Sequence, residues 1–425
     1  MKTYLNPPTD QWQQLCKRPV IESENLEITI ADVFKRVQSK GDSALQAYTQ
    51  QFDNVTISGI AVSKEQLKIW ADQVPKQLRK AIDTACANII TFHKTQKVSS
   101  KPLAVETQLG VRCWREARPI ERVGLYIPGG SAPLFSTVLM LGVPAQLAGC
   151  EEILLCTPPQ SDGSINPAIC YAASLVGVTK VFCVGGAQAI AAMAVGTVSI
   201  PKVDKIFGPG NQYVTSAKLY SGRYGVAIDM PAGPSEVMVI ADSSARPDFV
   251  AADLLSQAEH GPDSQVVLVA TSTTIAESVK EELDSQLAAL PRGDIAARAL
   301  ANSFCIIVKD NSQALKFANT YAPEHLILSV KDAETIVSQV RNAGSVFLGN
   351  YAPESAGDYA SGTNHTLPTN GWARSYSGLS LESFCKYVTF QSITEAGAQA
   401  LAPTVMAMAE AEGLEAHKRA MEIRL

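Results

Sequence analysis

The stretch "RVGLYIPGG" (residues 122–130) decides how this chain is read. A short β-rich apolar run ends in a pair of glycines, and the residues after them are rich in leucine, valine and alanine at helical spacing. "EEILLCTPP" (151–159), "KVFCVGGAQ" (180–188) and "KIFGPGNQ" (205–212) have the same texture. Strands that alternate with helices require crossover connections, and so a parallel sheet. A second series starts near "EVMVIAD" (236–242) and continues through "QVVLVATS" (265–272), "FCIIVKD" (304–310), "HLILSV" (325–330) and "GSVFLG" (344–349). The sequence therefore predicts two α/β domains in tandem. At 425 residues the chain exceeds the usual single-domain size, which agrees.

The flanking segments read differently. "ITIADVFKRV" (28–37) and "GDSALQAYTQQFD" (41–53) are helix-like, with Gly41 closing one helix and Asp42 or Ser43 capping the next. The helical period resumes after Lys64. The last residues, "AGAQALAPTVMAMAEAEGLEAHKRAMEIRL" (396–425), predict a helical tail in which Pro403 can open the final helix. Its Met and Ala stripe suits core or a subunit contact.

Composition excludes several classes. A formal net charge of −5 with no basic block interleaved with aromatics argues against nucleic-acid binding. Residues 123–150 and 181–201 lack charge, yet glycines and prolines interrupt the first and Gly185, Gly186 and Gln188 the second, so buried strand-loop-helix units are expected rather than membrane spans. The nine cysteines are scattered and never spaced CxxC, which speaks against a disulfide framework or a zinc knuckle. With no apolar signal core at the N-terminus, a reducing cytoplasm is the expected location.

Three groups of residues can carry chemistry. The joints "YIPGGS" (126–131), "VGGAQA" (184–189) and "FGPGNQ" (207–212) lie at strand ends of one sheet, where backbone amides at a helix N-terminus can face a phosphate. None matches GxGxxG, and each alone reads equally as a tight turn. In "LLSQAEHG" (254–261), Gln257 and His260 share a helix face and can converge on one ion. Such a pair is by itself an ordinary helix surface; Asp358 and His417 are candidate partners, and mixed N/O ligands suit zinc. In "YAPEHLILSV" (321–330), Glu324 and His325 form a candidate acid-base pair just before a strand. His93 reads as a helix-surface residue and His365 as a loop residue.

Taken in order, "GDSALQAYTQQFD", "RPIERVGLYIPGGSAPLFSTVLML" (118–141), "DKIFGPGNQYV" (204–214), "IDMPAGPSEVMVIAD" (228–242), "LLSQAEHGPDSQ" (254–265), "YAPEHL", "GDYASGTNHTLPT" (357–369) and "EGLEAHKRA" (412–420) closely resemble histidinol dehydrogenases. The resemblance implies a zinc enzyme of histidine biosynthesis that oxidises L-histidinol to L-histidine through L-histidinaldehyde, reducing two NAD. It implies Gln257, His260, Asp358 and His417 as zinc ligands; Tyr126, Gln188 and Asn211 as NAD contacts; Ser235, His325 and Glu412, with the metal ligands, as substrate contacts; and Glu324 and His325 as the proton-transfer pair. It further implies a homodimer in which His417 reaches the partner's site.

The fold class expected is α/β: two tandem incomplete Rossmann-like domains with parallel-rich sheets and small helical extensions at both ends. The expected division is an N-terminal extension over 1–25, a first domain of 26–117 with 233–372 that holds the metal and acid-base residues, an NAD-binding second domain over 118–232, and a helical dimerisation tail over 373–425. Rival readings are thiol catalysis through Cys113 or Cys150, a zinc hydrolase with Glu324 activating water, and a family relative acting on another amino or sulfonated alcohol.

Overall fold

A computed structural model describes residues 1–18, 26–97, 103–129 and 133–425. The second series of strands builds a six-stranded sheet in the order Lys2–Leu5, Phe304–Ile307, Gln265–Ala270, Glu236–Ala241, His325–Ser329, Ser345–Leu348, parallel throughout. Helices cover both faces, so alternate residues of one strand enter different cores. Val237, Val239 and Ala241 pack with Val250, Leu254 and Val279, whereas Met238 and Ile240 pack with Leu315 and Phe317. That double burial is why these strands are continuously apolar.

The first series builds another six-stranded sheet, ordered Ala61–Val62, Lys180–Cys183, Glu152–Thr157, Arg122–Tyr126, Lys205–Phe207, Ala227–Ile228. Only Ala61–Val62 runs antiparallel to its neighbour. Counted from Arg122–Tyr126 and from Glu236–Ala241, the main strands of both sheets follow the order 3-2-1-4-5, as in incomplete Rossmann units. A small antiparallel sheet of Cys385–Ile393, Val111–Pro119 and Val105–Gln108 completes the set.

Packing groups the segments differently from the expected division. Helix Leu26–Lys40 buries Ile30, Val33, Phe34 and Val37 against Leu154 and Phe182 of the 118–232 sheet and Ala191 of the helix Gly186–Val195 that covers it. Helix Lys76–Lys94 places Ile82 and Ile89 in the core on that sheet's other face. Their apolar stripes thus complete the 118–232 unit, not the 233–372 unit. Conversely, Lys2–Leu5 of the expected N-terminal extension is an edge strand of the 233–372 sheet, paired with Phe304–Ile307; residues 19–25 of that extension lie outside the described residues. The tail is not wholly helical, because Cys385–Ile393 pairs along its length with Val111–Pro119. Pro403 sits inside helix Glu395–Ala411, which Thr394 caps through its side chain. Among the described residues no helix is long and apolar enough to cross a membrane.

Candidate active site

A cleft of about 560 Å³ lies where the two large sheets face each other. The 118–232 sheet supplies carboxyl ends of strands: Tyr126 ends one strand, and Gly208 and Asn211 come just after the next. The 233–372 sheet supplies amino ends: Ser235 precedes Glu236–Ala241, and Glu324 and His325 stand at the start of His325–Ser329. His260, Asp358 and His365 complete the polar wall.

Glu324 and His325 are both buried. The Glu324 Oε2 accepts the Glu236 backbone N–H at 2.8 Å, and His325 Nδ1 lies 3.0 Å from the Glu236 carbonyl. Since a carbonyl only accepts, Nδ1 carries a proton there. Carboxylates crowd the imidazole: Glu324 at 3.7 Å, Glu354 at 3.8 Å and Asp358 at 3.5 Å. Burial pushes the Glu324 carboxyl up to about 8. Burial alone would lower His325, but Glu354, Glu324 and Asp358 together hold it well above the usual histidine range. Asp358 is half-buried, which would raise its carboxyl, yet His325 beside it keeps that carboxyl below the usual range.

Gln257 and His260 meet as their spacing predicts, Gln257 Nε2 lying 3.3 Å from His260 Nδ1. Gln257 is fully buried and, among the described residues, its Oε1 has no hydrogen-bond partner. A buried acceptor left unpaired is a ligand atom in want of an ion or water. Burial holds His260 below the usual histidine range, which favours the neutral, metal-binding imidazole. His325, Glu354 and Asp358 form an overlapping group whose donor atoms lie within 4.8 Å of one another. Asp358 is common to both sets.

On the opposite wall, the Tyr126 hydroxyl oxygen accepts the Gly186 N–H at 3.0 Å, tying together two of the glycine joints. Gln188 is buried in the first turn of helix Gly186–Val195 and is not part of the cleft lining. Asn211 caps helix Gln212–Ser221, its Oδ1 accepting from Tyr213 N and Val214 N. Gly208 adopts φ +126° against the Tyr126 carbonyl, where any side chain would collide. Gly129 and Gly185 both press on Pro158, so close packing accounts for part of the glycine richness. Gly130 and Ser131 lie outside the described residues.

Glu412 and His417 are not brought to this cleft by their own chain. Both are exposed, Glu412 at the end of helix Glu395–Ala411 and His417 in helix Glu415–Glu422. Cys113 and Cys150 also lie off the lining, and burial pushes the Cys150 thiol up to about 12, which disfavours the thiolate that thiol catalysis needs.

One histidine reading changes, and the loop residue His365 gains a place in the site. His93 is buried rather than on a helix surface, its Nδ1 2.9 Å from Gln96 Oε1 and its Nε2 3.5 Å from Asn364 Nδ2. His365 lines the cleft, with Nε2 3.3 Å from Thr137 Oγ1. Sequence reasoning also missed Glu354, which is buried beside His325 with an unpaired Oε2. Nothing local in "YAPESAGDY" (351–359) distinguishes it from a surface glutamate.

The family described as histidinol dehydrogenase matches residues 16–425. The chain is 55% identical over 425 residues to histidinol dehydrogenase of Bacteroides fragilis, covering 100% of this chain and 99% of that protein. It is 52% identical over 419 residues to the Escherichia coli K12 enzyme of the same name, covering 98% and 95%. A crystal structure of histidinol dehydrogenase from Elizabethkingia anophelis matches with a TM-score of 0.97 at 54% identity, covering 100% of this chain and 98% of that one. With matches that run the whole length at this identity, and the α/β fold expected, the chain belongs to the histidinol dehydrogenase family.

Proposed function

We propose that this chain oxidises L-histidinol to L-histidine through L-histidinaldehyde, with two NAD as hydride acceptors and one bound zinc. The observation that carries the reading is the pairing of buried Glu324 and His325 with a cleft whose other wall is made of glycine-rich strand ends. Tyr126, Gln188 and Asn211 are assigned to the dinucleotide; Ser235 and His325, with the metal set, to the substrate.

Gln257, His260 and Asp358 fit a metal site. Their support is the unpaired Gln257 Oε1, the depressed His260 and the ionised Asp358. When bound, zinc supplies a fixed positive charge that orients the substrate's imidazole and amine. The exposed His417 and Glu412 are assigned to the cleft of a second copy. Met408, Leu414, Ile423 and Leu425, exposed apolar side chains on the same tail, support burial of this segment in a homodimer. The 233–372 unit would thus hold the metal and acid-base residues, and the 118–232 unit the dinucleotide. Nine free cysteines support a reducing cytoplasm.

The chemistry divides into two oxidations. In the first, the carbinol loses a hydride to the nicotinamide and its hydroxyl proton to a base, giving the aldehyde. His325 is assigned to this step through Nε2, which is buried 3.5 Å from Asp358 Oδ1; the surrounding carboxylates favour the protonated ring, so it acts as base once Nε2 has given up its proton. In the second, water adds to the aldehyde, the hydrate loses a second hydride, and the carboxylate forms. Glu324, with its carboxyl raised into the neutral range, is matched to taking the proton from that water. Following reduced nicotinamide by its absorbance on mixing the protein with histidinol and NAD tests the reading. Two NADH per histidinol are expected, and no NADH would return the zinc hydrolase to first place.

A further inference from the structure

Behind the cleft, the main chain of one residue holds both members of the proton-transfer pair. Glu236 donates its N–H to Glu324 Oε2 at 2.8 Å and accepts at its carbonyl from His325 Nδ1 at 3.0 Å. The first contact aims the carboxylate. The second keeps a proton on Nδ1, so that Nε2, which faces Asp358, is the nitrogen that gains and loses one. Glu236 itself does not line the cleft.

What fixes that main chain is the Glu236 side chain, 2% exposed. Its carboxylate takes a two-pronged grip from Arg18, with Nε to Oε1 and Nη2 to Oε2 both at 2.9 Å, and a third bond from Asn370 N–H at 2.8 Å. Arg18 is held in turn. It donates to the carbonyls of Cys16 at 2.8 Å and Tyr321 at 2.9 Å, and its guanidinium stacks on the Tyr321 ring at 3.5 Å. Tyr321 begins the segment that carries Glu324 and His325. One guanidinium therefore joins the strand start at Glu236 to the loop that presents the pair.

We infer that Arg18 and Glu236 are positioning residues for the reaction, locking the Glu236 main chain so that Glu324 and His325 are held in their working orientation and tautomer. The inference rests on the proposed role of that pair. A buried ion pair is a weak source of stability, since an apolar pair of similar size replaces it at little cost. Its two-pronged geometry, by contrast, fixes direction.

The test uses the zinc-loaded full chain carrying Arg18→Met together with Glu236→Met, which removes both charges at once. With histidinol and NAD, kcat is expected to fall about ten- to a hundredfold while KM for NAD stays within about twofold. In histidine-labelled protein, the nitrogen NMR signature of Nδ1-protonated His325 is expected to weaken. A folded double variant with unchanged kcat and an unchanged His325 signature overturns the inference. Arg18→Lys, which keeps the charge but cannot grip in two places, decides if the double variant fails to fold: kcat equal to that of the unaltered chain overturns it. His325→Ala is run in parallel. Full turnover by that variant would sink the role of the pair, and the clamp would then be judged on the NMR signature alone.

Discussion

Glu324→Gln is expected to stabilise the folded chain, and by an amount that grows with pH. Burial raises the Glu324 carboxyl from 4.5 to about 8. The folded chain therefore binds this proton more tightly than the unfolded chain, and stability is lost as pH rises from about 4.5 through about 8. Each tenfold change in proton affinity is worth about 1.4 kcal/mol, so the displacement of 8 − 4.5 sets an upper bound of about 5 kcal/mol. Part is returned, because Glu324 is one of three carboxylates that hold the His325 proton. A net gain of about 2 to 4 kcal/mol is expected above pH ~8 and nearly none below pH ~5. Glutamine keeps an oxygen to accept the Glu236 N–H, so packing is preserved. Denaturant unfolding of both proteins, at one protein concentration and with chelator present, measures the difference at about pH 5 and about pH 9. A difference that is flat with pH, or a variant less stable at the alkaline end, would refute the reasoning, since it would mean that the Glu236 N–H offsets the burial of the charge. The same variant should retain zinc and NAD yet stall at water attack, releasing one NADH per histidinol where the unaltered chain releases two.

Three further perturbations probe the rest of the site. His325→Ala should keep its metal and lose about 10²–10⁴ in kcat, with part of the loss recovered at high pH where hydroxide substitutes; loss of zinc instead would show His325 to be misplaced in the site. Gln257→Ala should strip most of the bound metal, read by metal analysis, while dinucleotide binding persists; full metal content would assign the ion to His325, Glu354 and Asp358 instead. Gly208→Ala forces a side chain into φ +126° beside the Tyr126 carbonyl. Its affinity for NAD should fall by about tenfold or more, measured by fluorescence titration, and unchanged affinity would separate this loop from the dinucleotide.

Much of this architecture was legible because burial on two faces leaves a strong trace. "EVMVIA" and "QVVLVA" have no polar face to show, and only a covered parallel sheet accepts such runs. The grouping of the units was not legible. The stripe of Ile30, Val33, Phe34 and Val37 announces that helix Leu26–Lys40 is covered, without saying by which sheet. The edge strand Lys2–Leu5 is short and mostly exposed, so it lacks the apolar run that marks its neighbours. Gln257 and His260 could be paired from helical spacing. His365 and Glu354 could not, because each gains its meaning only from chain segments distant in sequence.

The position of Glu324 and His325 shows why the usual edge rule failed to find them. Ligands in open α/β sheets collect at the carboxyl ends of strands, and the 118–232 sheet obeys this with Tyr126, Gly208 and Asn211. The 233–372 sheet meets the same cleft with the amino ends of its strands. An amino edge offers backbone N–H groups and the first residues of strands, as when the Glu236 N–H meets the Glu324 carboxylate. It therefore suits groups that hold and move protons, while the glycine turns at the opposing carboxyl edge suit a bound phosphate chain. In the proposed reaction, opposing one edge of each kind would set the base on one wall of the cleft and the hydride acceptor on the other, which is the arrangement that a proton and a hydride leaving one carbon require.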